Sequence, residues 1–154
     1  MANRRRLIRM TTPERDAFIA GPHTMSVATV NHDGTIHLVA MWYGFLDGAP
    51  ALVTFSKSQK VTNLRRDPRL SALVEDGANY GELRGVELVG RGTVIDEPDA
   101  VLAVARSVVE RYFALRGPSE RADAAVALAR KRSVVRIEAE RTVSWDHGKL
   151  HGAY

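Results

Sequence analysis

From Thr24 to Val30 apolar and polar side chains alternate in a stretch rich in branched residues, the period of two that belongs to a strand with one buried face. Asn31-His32-Asp33-Gly34 reads as a hairpin turn, and residues 35–43 form the return strand. Gly44-Phe45-Leu46-Asp47-Gly48 turns the chain again, and Ala51-Leu52-Val53-Thr54-Phe55 makes a third strand that runs into a short basic helix ended by Pro68. Residues 70–75 alternate as a fourth strand, stopped at Asp76-Gly77. Residues 86–95 make a longer fifth, where Gly85, Gly90 and Gly92 predict bulges or bends. Residues 133–139 supply a sixth.

Helices bracket these strands. Thr12 is the expected N-cap of the first, with Pro13 at its opening position, an apolar turn at Phe18-Ile19 and a stop at Gly21-Pro22. Asp96-Glu97-Pro98-Asp99 opens a second whose apolar positions, Val101, Val104, Ala105, Val108, Val109 and Tyr112, keep the helical period. Gly117-Pro118-Ser119 separates it from an alanine-rich helix that runs through Ala129. Antiparallel strands joined by short turns favour a barrel, since parallel strands need crossover helices. The expected fold is mainly β with helices, an antiparallel β-barrel of six to seven strands. Residues 1–154 form one domain, with 1–10 a basic N-terminal arm and 141–154 a C-terminal tail too rich in aromatic and polar groups to be passive.

Composition narrows the chemistry. The chain is 45% hydrophobic and 26% charged, as globular proteins are, and has no cysteine, which removes disulfides, thiolate zinc sites and cysteine nucleophiles. It has no apolar run long enough to cross a membrane and no apolar signal-peptide core, so a cytoplasmic location is expected. The net charge of +4 is unevenly spread. Lys57, Lys60, Arg65, Arg66 and Arg69 outnumber Asp67 in one patch, Arg4, Arg5, Arg6 and Arg9 form another, and the remainder is net negative. Two cationic patches on an acidic body suit a localised polyanion better than a face for duplex DNA, and nucleic acid stays as the lesser alternative.

The strand-to-helix junction is the strongest chemical signal. Uncapped amides at a helix start, the hydroxyls of Ser56 and Ser58, and the ammonium groups of Lys57 and Lys60 all favour an anion, although a solvated basic helix has the same spacing. Gly90-Arg91-Gly92 lacks the third glycine of a dinucleotide fingerprint, and no Gly-Lys-Ser or Gly-Lys-Thr loop exists. The histidines, His23, His32, His37, His147 and His151, have no metal-ligand spacing, so no metal is expected. His37 shares its strand with Trp42 and Tyr43, where an aromatic-lined wall can accept a flat heterocycle and core packing is the plainer reading.

The order of strand, Asn31-His32-Asp33-Gly34 turn, strand ending Met41-Trp42-Tyr43, strand, then Lys57-Ser58-Gln59-Lys60-Val61-Thr62-Asn63-Leu64-Arg65-Arg66-Asp67-Pro68-Arg69 resembles the pyridoxamine 5'-phosphate oxidase-like (PNPOx-like, FMN-binding) split β-barrel proteins. With Ser144-Trp145-Asp146-His147 near the C-terminus, it is most similar to the F420-dependent B group of flavin/deazaflavin oxidoreductases from actinobacteria. The likeness covers nearly the whole chain. It implies a homodimer with the cofactor at the interface, its phosphate held by Ser58, Lys60 and Asn63 with Lys57 and Gln59 beside them. It also implies that the ring borders the strand His37, Leu38, Val39, Ala40 and Met41 and its neighbour from Val53 through Thr54 to Ser56. The implied cofactor is F420, with FMN the alternative, since Ser58 stands where the family often has arginine. Arg4, Arg5, Arg6 and Arg9 are candidates for the oligoglutamate tail of F420. The implied activity is hydride transfer from reduced deazaflavin to an electron-poor quinone, enone or tetrapyrrole-type acceptor. Tyr43, His37 and His147 are candidate proton donors, and Trp42, Tyr43 and Trp145 candidate walls of the acceptor pocket. A non-catalytic F420 or FMN carrier would use the same residues.

Overall fold

The structure, a computed structural model, describes residues 4–151. Residues 1–3 and 152–154 of the expected domain, and the Arg4 side chain expected to meet an anionic tail, lie outside the described residues. The chain runs α1 (Arg4–Leu7), α2 (Thr12–Ala20), β1 (Met25–Val30), β2 (Ile36–Met41), β3 (Gly44–Leu46), β4 (Ala49–Phe55), α3 (Gln59–Arg66) and β5 (Arg69–Asp76). A 3-10 turn at Tyr80–Glu82 leads to β6 (Arg84–Ile95), α4 (Pro98–Tyr112), α5 (Pro118–Ala129) and β7 (Arg132–Asp146), and a second 3-10 turn at His147–Leu150 follows.

The seven strands form one sheet in the order β2-β1-β5-β6-β7-β4-β3, every pair antiparallel. β1 and β4 stand four places apart, roughly 19 Å in a flat sheet. Yet Met25 and Val27 of β1 share one buried cluster with Leu52 of β4, so the sheet curls into the expected split barrel. Val61 and Leu64 of α3 and Phe18 and Ile19 of α2 plug its open ends. On the other face of β4 and β7, Val101, Val104 and Val108 of α4 pack on Ala51, Val53 and Val134, and α5 packs behind them. The helical period read from residues 101–112 therefore marks the face that is buried.

The structure departs from the sequence reading at four places. Thr11, not Thr12, caps α2, in a reciprocal capping box with Glu14. The glycine-flanked stretch 44–48 is not all turn: Gly44–Leu46 pairs with Ala49–Ala51, and only Asp47 and Gly48 turn, both at positive φ, 49° and 78°. The return strand ends at Met41, leaving Trp42 and Tyr43 beyond it. Residues 141–146 continue β7, paired with β6 through Asp146, rather than forming a tail.

Candidate functional site

At the junction of β4 and α3 the backbone turns from an inner strand into a helix whose N-cap, Ser58, makes no side-chain capping bond. The first-turn amides of α3 are therefore left without a side-chain acceptor there. Lys60, the second residue of α3, is buried, and its Nζ donates to Thr54 Oγ1 at 3.0 Å. The Ser58 hydroxyl stands 3.5 Å from that same oxygen. Lys60 has no ion pair among the described residues; burial first, and then the charge of Arg132, lower its pKa from 10.5. A desolvated ammonium without a carboxylate is costly, and it is the arrangement a bound anion relieves.

Asn63 has a different task. Fully buried, its Nδ2 donates to Thr29 Oγ1 at 3.0 Å and to Asn31 Oδ1 at 2.9 Å, while its Oδ1 accepts from Gln59 Nε2 at 2.9 Å. It fastens α3 to β1, so both it and Gln59 are occupied within the protein. Ser56 is likewise engaged: its Oγ lies 3.3 Å from the Lys131 carbonyl and 2.8 Å from Ser133 Oγ, which in turn lies 2.5 Å from Asp96 Oδ1. Lys57 is exposed. The arginines of α3, and Arg69 at the start of β5, are committed as well. Arg65 pairs with Asp96 at 2.8 Å, Arg69 with Asp67 at 2.6 Å, and Arg66 donates to the Val30 carbonyl. The basic patch that kept nucleic acid in view is thus largely spent inside the chain, and its lysine and serine end is what remains for an anion.

β3 covers β4 only as far as Ala51, and β2 is the other end of the sheet, so the barrel is split between them. A cleft of about 380 Å³ lies in this split, lined by Ala40, Met41 and Trp42 on one side and by Thr24, Val53, Val108, Leu128 and Arg132 around the rest. The structure thus brings Ala40 and Met41 together with Val53 around one cleft. Leu38 instead points outward, 66% exposed. His37 and Val39 are half-buried on the face of β2 that carries Met41, with His37 opposite Thr29. The Trp42 ring stacks on Tyr112, centroids 5.1 Å apart and planes 7° apart, at the border of the cleft.

Arg132 is the residue that sequence reasoning missed. Its guanidinium lies 4.0 Å over the Phe55 ring, its Nε is buried without a hydrogen-bond partner, and burial lowers its pKa. Between Lys131 and an apolar run it reads as an ordinary surface charge; only the register Phe55↔Arg132 places it at the cleft.

Of the candidate proton donors, Tyr43 is fully buried, donates to the Ile19 carbonyl at 2.6 Å, and has its pKa pushed up to about 12, by burial first. It is a core residue, with no free proton to offer this cleft. His147 stands beyond Asp146, the far end of β7 from Arg132 and Ser133, which is roughly 45–50 Å along a fully extended strand. His147 and Trp145 line a separate groove there with Arg5, Arg6 and Arg9, so within one chain the arm arginines do not extend the Lys60 site. Among the described residues no His, Asp and Glu cluster suited to a metal occurs, and no helix is long and apolar enough to cross a membrane.

The sequence profile of pyridoxamine 5'-phosphate oxidase matches residues 11–146, from the α2 cap to the end of β7. The chain belongs to this family. A conserved hypothetical protein from Mycobacterium tuberculosis has the same fold at 44% identity, with a TM-score of 0.88 over 96% of this chain and 91% of that one. The split barrel recurs in an F420 reductase, 23% identical with a TM-score of 0.61 over 82% of this chain and 94% of that one. It recurs again in HutZ, a heme storage protein from Vibrio cholerae, 15% identical with a TM-score of 0.67 over 89% and 97%. No curated protein matches the sequence. The pyridoxamine 5'-phosphate oxidase family fold thus carries both redox and storage proteins, and the residues at the split must decide between them.

Proposed function

We propose that the chain is a homodimeric F420-dependent oxidoreductase that passes a hydride from reduced deazaflavin to an electron-poor small-molecule acceptor of the quinone, enone or tetrapyrrole type. The observation that carries this reading is Lys60, a buried ammonium with one hydroxyl partner and no acid, set beside uncapped helix amides and within electrostatic range of Arg132, which lines the apolar cleft. Those groups fit the phosphate of a flavin-type cofactor, and the buried, unpartnered Nε of Arg132 fits a second acceptor atom.

The cofactor, when bound, supplies the hydride chemistry. Lys60, Ser58 and the first amides of α3 hold its phosphate; Ala40, Met41 and Val53 pack against its ring and exclude water. The Trp42–Tyr112 stack offers a flat surface on which an acceptor can align. The reduced acceptor takes its proton from solvent, since His37 does not line the cleft and stands five residues from Trp42, roughly 16 Å along an extended strand. His147 reaches the cleft only if a partner subunit brings it there.

A second reading is favoured by the lining itself, which carries no acid and no histidine: a protein that binds F420 or FMN without turnover. Fluorescence titration separates the cofactors, and oxidation of reduced F420 by menadione, cyclohexenone and biliverdin separates enzyme from carrier. F420 is expected to bind at least about tenfold more tightly than FMN, a difference of about 1.4 kcal/mol, and to be oxidised by at least one acceptor. Tighter binding of FMN overturns the cofactor assignment, and binding without turnover under every acceptor establishes the carrier.

A further inference from the structure

A second groove lies away from the split, between the N-terminal arm and the last residues of β7. Its volume is about 580 Å³, ample for a ligand of drug size. β4 pairs with β7 only from Arg132 to Arg136, so the following edge of β7 is open, and the arm closes it where Asp146 N donates to the Ile8 carbonyl at 2.7 Å. Ile8, Val143 and Trp145 give the groove an apolar floor, and Val143 is 38% exposed within it. The indole of Trp145 lies over Gly85, where a Cβ would fall 2.2 Å from the ring, so the floor needs glycine at that position.

The rim has one sign of charge. Arg5, Arg6, Arg9 and Arg141 line the groove and no carboxylate does. The side chains of Arg6, Arg9 and Arg141 form no ion pair or hydrogen bond among the described residues, whereas the arginines of α3 are all engaged. His147 also lines the groove, edge-on to Tyr80 at 4.4 Å, and its Nδ1 is buried without a hydrogen-bond partner. Buried polar atoms are almost always paired, and here an unpaired one coincides with unpaired guanidinium groups around an apolar floor.

We propose that this groove is a second ligand site, independent of the redox cofactor, for an amphipathic carboxylate: an apolar body along Ile8, Val143 and Trp145, and a carboxylate held by Arg9 and Arg141 with His147 beside it. Charge complementarity selects the carboxylate and the apolar floor selects its body. A linear acyl chain and a flat polycyclic body both have this chemistry, so the test includes one of each.

The chain has two tryptophans, so in Trp42→Phe the emission reports Trp145 alone. In that variant, without redox cofactor, saturable changes of emission are expected with oleate or with pyrenebutyrate. The corresponding alcohols, oleyl alcohol and pyrenebutanol, should bind at least about tenfold more weakly. The tighter of the two acids identifies the body. Adding Arg9→Gln and Arg141→Gln should weaken the acid at least about tenfold and leave the alcohol unchanged. Where those variants fail to fold, raising salt from about 0.05 M to about 0.5 M should weaken the acid selectively in Trp42→Phe itself. No saturable response to either acid, or equal affinity for acid and alcohol, overturns the proposal. Since the readout is Trp145 in the absence of F420, neither result bears on the redox reading.

Discussion

An ammonium taken out of water lowers the stability of the folded chain unless something negative meets it, and Lys60 has only the Thr54 hydroxyl. The folded state releases this proton at a lower pH than the unfolded state, whose lysine titrates near 10.5. The site's contribution to stability is therefore present above 10.5 and is lost as the pH falls through the lowered value. A bound phosphate stabilises the charged form, so anion affinity should fall as the pH rises through the same window. Lys60→Met removes the cost and the grip together. It is expected to leave the chain equally stable or on the order of 1–2 kcal/mol more stable in urea denaturation. The parent protein should gain about 1.4 kcal/mol from phosphate or FMN at ten times its Kd, and Lys60→Met should gain nothing. A variant that is less stable and still responds to phosphate would show that Lys60 is a structural lysine.

Between elements, the β6–β7 ladder decides where the sheet bends. The register shifts between Val89 and Gly90, and a Cβ on Gly90 would sit 2.0 Å from the Glu138 carbonyl oxygen, so only glycine lets the two backbones meet at this bulge. Gly90→Ala is expected to cost at least about 2 kcal/mol by thermal or urea unfolding, whereas Gly81→Ala, with nothing within 4 Å of the new carbon, should stay within about 0.5 kcal/mol. Equal effects would mean the ladder yields without strain. This bend was legible in the sequence because glycine in a strand has few other uses; so were the paired strands, whose alternation follows directly from one buried face. β3 was not legible, since three residues between glycines carry too little period to separate a strand from a turn. The outer part of β7 read as a tail because its edge lies open and polar side chains occur on both its faces. At the site, Lys60 and Ser58 were legible from charge and position. Whether Asn63 faces a ligand or β1, and that Arg132 meets Phe55, depend on register and tertiary packing, which no local pattern encodes.

For the whole molecule, β2 is an edge strand with an apolar outer face. Ile36 is 61% and Leu38 66% exposed, and small residues stand beside them on β1, with Ala28 opposite Leu38 and Ser26 opposite Ala40. Proteins blunt such edges with lysine, proline or a bulge, and residues 36–41 have none of these, so a second copy is the expected cover. The same strand forms one wall of the cleft proposed to hold the cofactor, through Ala40 and Met41. Burying its outer face in a dimer would fix that wall in place, and association and cofactor binding should therefore be coupled. Leu38→Glu puts a charge on the outer face without touching the core, since the side chain is exposed within the chain. In size-exclusion chromatography with light scattering, the parent is expected at twice the chain mass and the variant at the chain mass, with a far-ultraviolet circular dichroism spectrum unchanged. The monomeric variant should bind F420 at least about tenfold more weakly, because half of what closes the cleft would be missing. A monomeric parent removes the dimer from the proposal. A monomeric variant with undiminished F420 affinity would place the whole cofactor site within one chain, around Lys60, Arg132 and the split between β2 and β4.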